Sequence, residues 1–356
     1  MLDGAMRQPA QDGCIPKKEA LRVEAAKAAP GSRAGSSTPS AVESAIRTAR
    51  FKIVAAFAAI YLIWGSTYLA IRVGLDAFPP FLMAAARYLS AGGALYLVSR
   101  WSGAAPPTMR QWRSAAIAGA LMLGGANGLV TWSELYVPSG LAALLIATVP
   151  FCITALDWLA FDGPRPTGMT GLGIACGFVG VGILMAPGEN RTVHPGGGLA
   201  LVLATVFWST GTLYSRKAEL PRSPLLASAM QMLAGGGLLA LVASLAREWS
   251  RLDPSRVTWT SVLALGYLSV FGSFVAFAAF VWLLQRTSPA LISTYAFVNP
   301  VVAVFLGWLV LSEPVHSRVL LATALIVGAV VALQVSQYRS ARLISSHERK
   351  SLRKAS

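Results

Sequence analysis

WGSTYLAIR, Trp64 to Arg72, and WSTGTLYSR, Trp208 to Arg216, are one stretch written twice, 144 positions apart. Trp64 falls on Trp208 and Arg72 on Arg216. At the same shift RYLSAGGALYL from Arg87 falls on QMLAGGGLLAL from Gln231, pairing Leu89 with Leu233, Gly92 with Gly236 and Gly93 with Gly237. Further on the shift becomes 150: Trp132 meets Trp282, Leu141 meets Leu291, Pro150 meets Pro300, Trp158 meets Trp308 and Pro164 meets Pro314. The second copy therefore carries a six-residue insertion.

Composition sets the solvent in which the two copies fold. Of 356 residues 55% are hydrophobic and only 13% charged, too apolar for an ordinary soluble domain. Ten apolar stretches stand out, at roughly 52–74, 80–99, 114–133, 138–160, 168–187, 197–216, 223–246, 258–284, 288–311 and 316–337. Each is long enough to cross a hydrocarbon core of about 30 Å as a helix. The expected fold is an all-α integral membrane protein with ten transmembrane helices, five in each copy. A copy with an odd number of spans must sit upside down relative to its partner, and inverted repeats are frequent in secondary transporters. The expected organisation is a disordered basic tail over 1–51, a first repeat over 52–187, a Gly-rich linker over 188–197, a second repeat over 198–337 and a basic tail over 338–356.

The formal charge is +15, but the basic residues lie in the tails and in alternate short loops rather than along one stripe. That is how topology signals are distributed, so nucleic acid is not an expected partner. The N-terminal tail holds nine Lys or Arg up to Lys52, and the C-terminal tail adds Arg339, Arg342, Arg349, Lys350, Arg353 and Lys354. Both termini are expected in the cytoplasm, with the chain in the cell's inner membrane. The loop at 247–257, with Arg247, Arg251 and Arg256, runs against that bias and is outvoted. Cys14, Cys152 and Cys176 have no disulfide or metal spacing; no metal and no cofactor is expected.

Polar residues at membrane depth are the candidates for function. Arg87 stands about 10 Å into its helix at 1.5 Å per residue, where a cation costs about 2.5–3.5 kcal/mol on insertion scales. It is either a structural arginine on backbone carbonyls or a fixed positive charge for an anionic group of the substrate. Asp157, near the end of the fourth stretch, either snorkels to the interface or binds a coupling proton. Glu134, beside Trp132, is a second coupling candidate. Pro150 and Pro300 each remove a helical hydrogen bond at matching points of the two copies, which suits hinges. Asn299 adds a polar group there. Trp64 and Tyr68 share one helix face, and Trp64 is too deep to anchor at a headgroup.

The pieces IWGSTYLAIR at 63–72, PPFLMAAARYL at 79–89, NGLVTWSELYVPSGLAALLIATVP at 127–150 and FVNPVVAVFLGWLVLSEP at 297–314 resemble the EamA family of the drug/metabolite transporter superfamily. The resemblance covers about 52 to 337. It implies two EamA repeats around a central cavity and export of small metabolites or drugs by alternating access; a cavity of aromatic and small residues suits amino acids as well, and the expected partners are the solute, membrane lipid and, as the coupling candidate, a proton gradient. The cavity residues it implies are Trp64, Tyr68, Asn127, Trp208, Tyr295 and Asn299. Where the family has an acidic residue and then Arg-Pro after the fourth helix, this chain has Asp162-Gly163-Pro164, while Glu313-Pro314 fits. A passive channel or facilitator is the alternative. An intramembrane enzyme is disfavoured because His194, His316 and His347 all fall in loops or the tail, leaving no base for a buried nucleophile.

Overall fold

The computed structural model describes residues 39–161, 163, 165–166, 168–186, 194–284, 286–287, 294–332 and 335. The expectations for both tails beyond these limits, for Asp162 and Pro164, for Leu291 and for most of the 188–197 linker fall outside the described residues. The chain divides into two compact units, residues 1–56 and 57–356. In the first, the described residues, from Pro39 on, are helical; all that follows concerns the second.

Among the described residues every regular element is a helix. In chain order they are α1 (Pro39–Gly74), α2 (Pro80–Trp101), α3 (Met109–Ser133), α4 (Ser139–Ala160), α5 (Gly168–Met185), α6 (Pro195–Lys217), α7 (Pro224–Leu245), α8 (Trp259–Phe280 and on to Leu284), α9 (Tyr295–Leu311) and α10 (Ser317–Ala332). Seven of them, α1 to α4 and α6 to α8, are long and apolar enough to cross a membrane. Within α5, α9 and α10 the apolar helices are shorter, Gly171–Leu184, Val298–Leu311 and Ser317–Ala332. Leu62, Leu172, Leu263, Leu309 and Leu320 lie exposed on the outside of the bundle, as expected of a surface that faces lipid.

The helix starts follow from local chemistry. Proline occupies the first turn of α2, α6 and α7, where its missing N–H costs nothing. Thr108 and Thr258 open α3 and α8 with capping boxes, paired with Gln111 and Ser261. These two caps stand 150 positions apart. Both helices then widen into π-helical turns of eight residues, Ala120–Asn127 and Leu268–Val275. The duplication is thus visible in backbone geometry as well as in sequence.

Bilayer lipid supplies no hydrophobic drive between helices, so backbones approach through small residues. The tightest seam joins α2 and α7. A Cβ on Gly92 would come within 2.8 Å of Met232 Cβ, and one on Gly236 within 3.0 Å of Leu89 Cγ. These are the two glycines paired by the repeat. Tyr88, Ala91, Leu95, Ala229, Met232 and Leu239 fill the same seam.

Pro150 marks a real interruption. α4 runs as Ser139–Ile146, turns at Ala147 and Thr148, and resumes as Val149–Ala160. Proline cannot donate to the carbonyl four residues back, and Thr148 Oγ1 turns to the Leu145 carbonyl at 2.6 Å. Pro300 behaves differently, lying buried inside the α9 helix without ending it.

Two carboxylates close helix ends far away in sequence. Glu313, just past α9, accepts from Ser139 N at 2.7 Å, Ser139 Oγ at 2.8 Å and Gly140 N at 3.1 Å, capping α4. Glu248, between α7 and α8, accepts from Leu82 N at 2.8 Å and caps α2. Five residues past Glu313, Arg318 donates to the carbonyls of Ile183 and Ala186, closing the C-terminus of α5.

Candidate functional site

The interior polar groups gather where α1, α2, α6, α8 and α9 meet, and the π turn of α8 organises them. In that turn the Ala276 N–H bonds to the Phe271 carbonyl, five residues back. The Gly272 carbonyl is thereby relieved of its usual donor four residues on. It accepts the indole N–H of Trp64 instead, at 3.1 Å. The next residue, Ser273, accepts from Arg87 Nε at 2.8 Å. One widened turn therefore fixes a tryptophan of α1 and an arginine of α2.

Trp64 stands in an aromatic group. Its ring centroid lies 5.0 Å from Tyr295, 5.3 Å from Phe280 and 6.4 Å from Phe277. One helical turn along α1, Tyr68 lies in the electrostatic range of Glu134, Tyr295, Tyr88 and Arg87. Trp208 packs against two core groups, one containing Leu144 and Leu201 and touched by Tyr68, the other containing Tyr88 and Met232. Asn299, with its amide turned so that nitrogen donates, reaches the backbone oxygens of Tyr295 at 3.3 Å and Tyr61 at 3.2 Å.

Arg87 is 8% exposed and Tyr88 3%. The Arg87 guanidinium lies 4.9 Å from the Tyr88 ring centroid. Beyond the bond to Ser273, its terminal nitrogens take no protein acceptor among the described residues. The same holds for the hydroxyls of Tyr68, Tyr88 and Tyr295 and for the Trp208 indole N–H. Among the described residues, the polar side-chain atoms that are both sealed and unpartnered are Ser99 Oγ and the two carboxyl oxygens of Glu134. The unpartnered donors are outside that set and so keep some accessible surface.

Glu134 follows the last residue of α3 and is 0% exposed. Its backbone carbonyl, not its carboxyl, receives Arg72 Nη1 at 2.7 Å. Arg72, Arg87 and Glu313 all lie within electrostatic range of the carboxyl.

The expected site residues therefore divide. Trp64, Tyr68, Trp208, Tyr295 and Arg87 come together, with Glu134 beside them and Asn299 on the backbone beneath. Asn127 stays in the π turn of α3, where its amide donates to the Met122 carbonyl at 3.1 Å. Asp157 is remote: at the far end of α4 it pairs with Arg216 at 3.2 Å, the side chains being 24% and 63% exposed. Tyr88, Ser273, Phe277 and Phe280 belong to the cluster although the sequence reading passed them over. Tyr88 and Ser273 adjoin Arg87 and Gly272 in the chain and share no helix face with them; the three-residue spacing of Phe271, Phe274, Phe277 and Phe280 is the signal that would have marked the rings of α8.

Polar and aromatic side chains gathered inside an apolar, multi-span helical bundle are what a membrane transporter calls for. The model of the EamA-like transporter family matches twice, over residues 51–186 and 195–334, and the chain belongs to that family. Among its relatives is the uncharacterized inner membrane transporter YedA of Escherichia coli K12, 38% identical over 281 residues, 79% of this chain and 90% of that one. The protein PecM of Dickeya dadantii is 28% identical over 76% of this chain and 89% of its own length. A probable terminal-alkyne amino-acid exporter of Streptantibioticus cattleyicolor is 26% identical over 79% and 93%. A crystal structure 24% identical in sequence, covering 80% of this chain and 98% of its own, superposes with a TM-score of 0.57 and supports the fold alone.

Proposed function

We propose that the protein is a secondary-active exporter of small organic solutes, built from ten transmembrane helices in two inverted five-helix repeats and working by alternating access. The observation that carries this reading is the gathering of unpartnered donors from α1, α2, α6 and α9 in the interior of an apolar bundle. A pore needs a continuous wet path, whereas a binding site needs groups waiting for a partner. Relatives named as exporters and inner membrane transporters point the same way. In this reading the site is lined by Trp64, Tyr68, Trp208, Tyr295 and Asn299, with Asn127 bordering it and Pro150 and Pro300 as flexing points. The basic tails favour a cytoplasmic position for both termini; in that orientation the end holding Arg72, Glu134 and Glu313 faces outward in the inner membrane.

Coupling falls to Glu134 rather than to Asp157. A carboxyl enclosed without a donor is tolerated in its protonated form and costly as an anion; Arg72, Arg87, Glu313 and Tyr68 face it. The test is flux in reconstituted vesicles. Saturable uphill flux that Trp64→Ala and Asn299→Ala abolish is expected; wild-type rates in both variants refute the lining. Flux that never saturates identifies a channel, and flux indifferent to collapse of the pH difference removes the proton.

A further inference from the structure

Resting on that reading, we propose that Arg87 is the anchor for a carboxylate carried by the transported solute, which selects organic acids with an apolar or aromatic body over amines and amides. Three observations carry it.

The charge is buried, aimed and unspent. The bond from Nε to Ser273 Oγ at 2.8 Å fixes the guanidinium plane, and stacking beside Tyr88 restricts it further. Both terminal nitrogens remain without a protein acceptor among the described residues. A fork of parallel donors is the geometry that a carboxylate matches with two bonds. Symmetry does not demand the charge, because the repeat partner of Arg87 is the neutral Gln231.

The surroundings want an acceptor. The neighbouring unpartnered groups are the hydroxyls of Tyr68, Tyr88 and Tyr295, which can donate, and the guanidinium, which can only donate. The nearby carboxyl of Glu134 is sealed away. A solute bringing donors alone, such as an ammonium, would meet a like charge and few acceptors. A dianion such as a phosphate ester would ask for a second cation, but Arg72 is engaged on the Glu134 carbonyl.

The apolar partner site is adjacent. Gly272 holds Trp64 by its carbonyl, and a Cβ placed on it would meet Arg87 Nη2 at 3.3 Å. One glycine thus separates the cation from the ring group of Trp64, Phe277, Phe280 and Tyr295. A solute with a carboxylate a few bonds from an apolar body spans the two.

The experiment is counterflow in vesicles containing the full chain, with four matched probes: phenylacetate, L-phenylalanine, phenethylamine and phenylacetamide. Wild-type protein is expected to move the two carboxylates about tenfold faster or more than the amine and the amide. Arg87→Gln is expected to remove that preference and Arg87→Lys to keep part of it. Because Arg87→Gln could fail to fold, Ser273→Ala provides an independent arm, leaving the charge but freeing its plane. A severalfold rise in KM for the carboxylates at unchanged kcat is expected there. Movement of the amine or the amide at the carboxylate rate overturns the inference and leaves the transporter reading standing. A folded Arg87→Gln protein with wild-type carboxylate flux does the same. If none of the four probes moves in wild-type vesicles, the carboxylate inference falls, and the transporter reading is left to the flux test given for it above.

Discussion

Glu313→Ala removes three hydrogen bonds at once and leaves two N–H groups of α4 and the Ser139 hydroxyl without their acceptor. Loss of a helix cap costs about 0.5–2 kcal/mol, and loss of a carboxylate at a helix N-terminus a further 0.3–1 kcal/mol or about that. Enclosed donors left unsatisfied add about 1–3 kcal/mol. These ranges overlap in what they count, so a net loss of about 3 kcal/mol is expected. At roughly 2 °C per kcal/mol for a chain of this size, Tm in detergent should fall by about 6 °C. Glu313→Gln keeps an acceptor and should lose about half as much. The informative comparison is a cycle with Ser139→Ala, which alone should cost about 1 kcal/mol and almost nothing once Glu313 is gone. A Glu313→Ala protein melting within about 1 °C of wild type, or two substitutions whose effects simply add, would refute the cap as a source of stability.

Further predictions concern packing, pH and the remote ion pair. A methyl added at Gly119 overlaps the Gln231 carbonyl, whereas Gly237 has open space; Gly119→Ala should lower Tm by several degrees and Gly237→Ala should leave it unchanged. Burial holds the Glu248 carboxyl above the usual range, while bonds from Leu82 and Phe81 and the charge of Arg251 pull it back. The folded protein then binds the proton more tightly than the unfolded chain, so the stability linked to Glu248 is full below the ordinary Glu value and is lost as pH rises through the raised one. Wild-type Tm should therefore decline across that window relative to Glu248→Gln, and parallel curves would contradict the assignment. Asp157→Asn breaks an ion pair that is largely solvated, so it should cost less than about 1 kcal/mol and change flux less than twofold; loss of pH-driven flux in that variant would move coupling from Glu134 to Asp157.

The duplication was readable because it is a property of the string: Gly92 and Gly236 align at one shift and then pack in one seam. The break at Pro150 was readable because proline carries its own reason. Arg87 stood out from cost alone, since a cation at that depth must face the interior, and it is buried there against Ser273. What escaped depends on distance or on the hydrogen-bond ladder. Glu313 and Glu248 read as loop acids until their partners, more than 160 positions away, are known. The π turns arise where the ladder slips by one residue, and Gly124, Gly125 and Gly272 inside them are the hint the string gives. Between the two readings of Asp157 the string offered no choice, because Arg216, its partner, belongs to the other copy.

Both caps run in one direction, from the second copy to the first. The starts of α2 and α4 emerge from the ribosome 166 and 174 residues ahead of Glu248 and Glu313. At about 5–20 residues per second, each waits on the order of ten to thirty seconds with bare amide groups at the membrane face. The first half is thus an unfinished object throughout its synthesis. A chain stopped after α5 should be a ready substrate for membrane quality control, and supplying the second half as a separate polypeptide should rescue it.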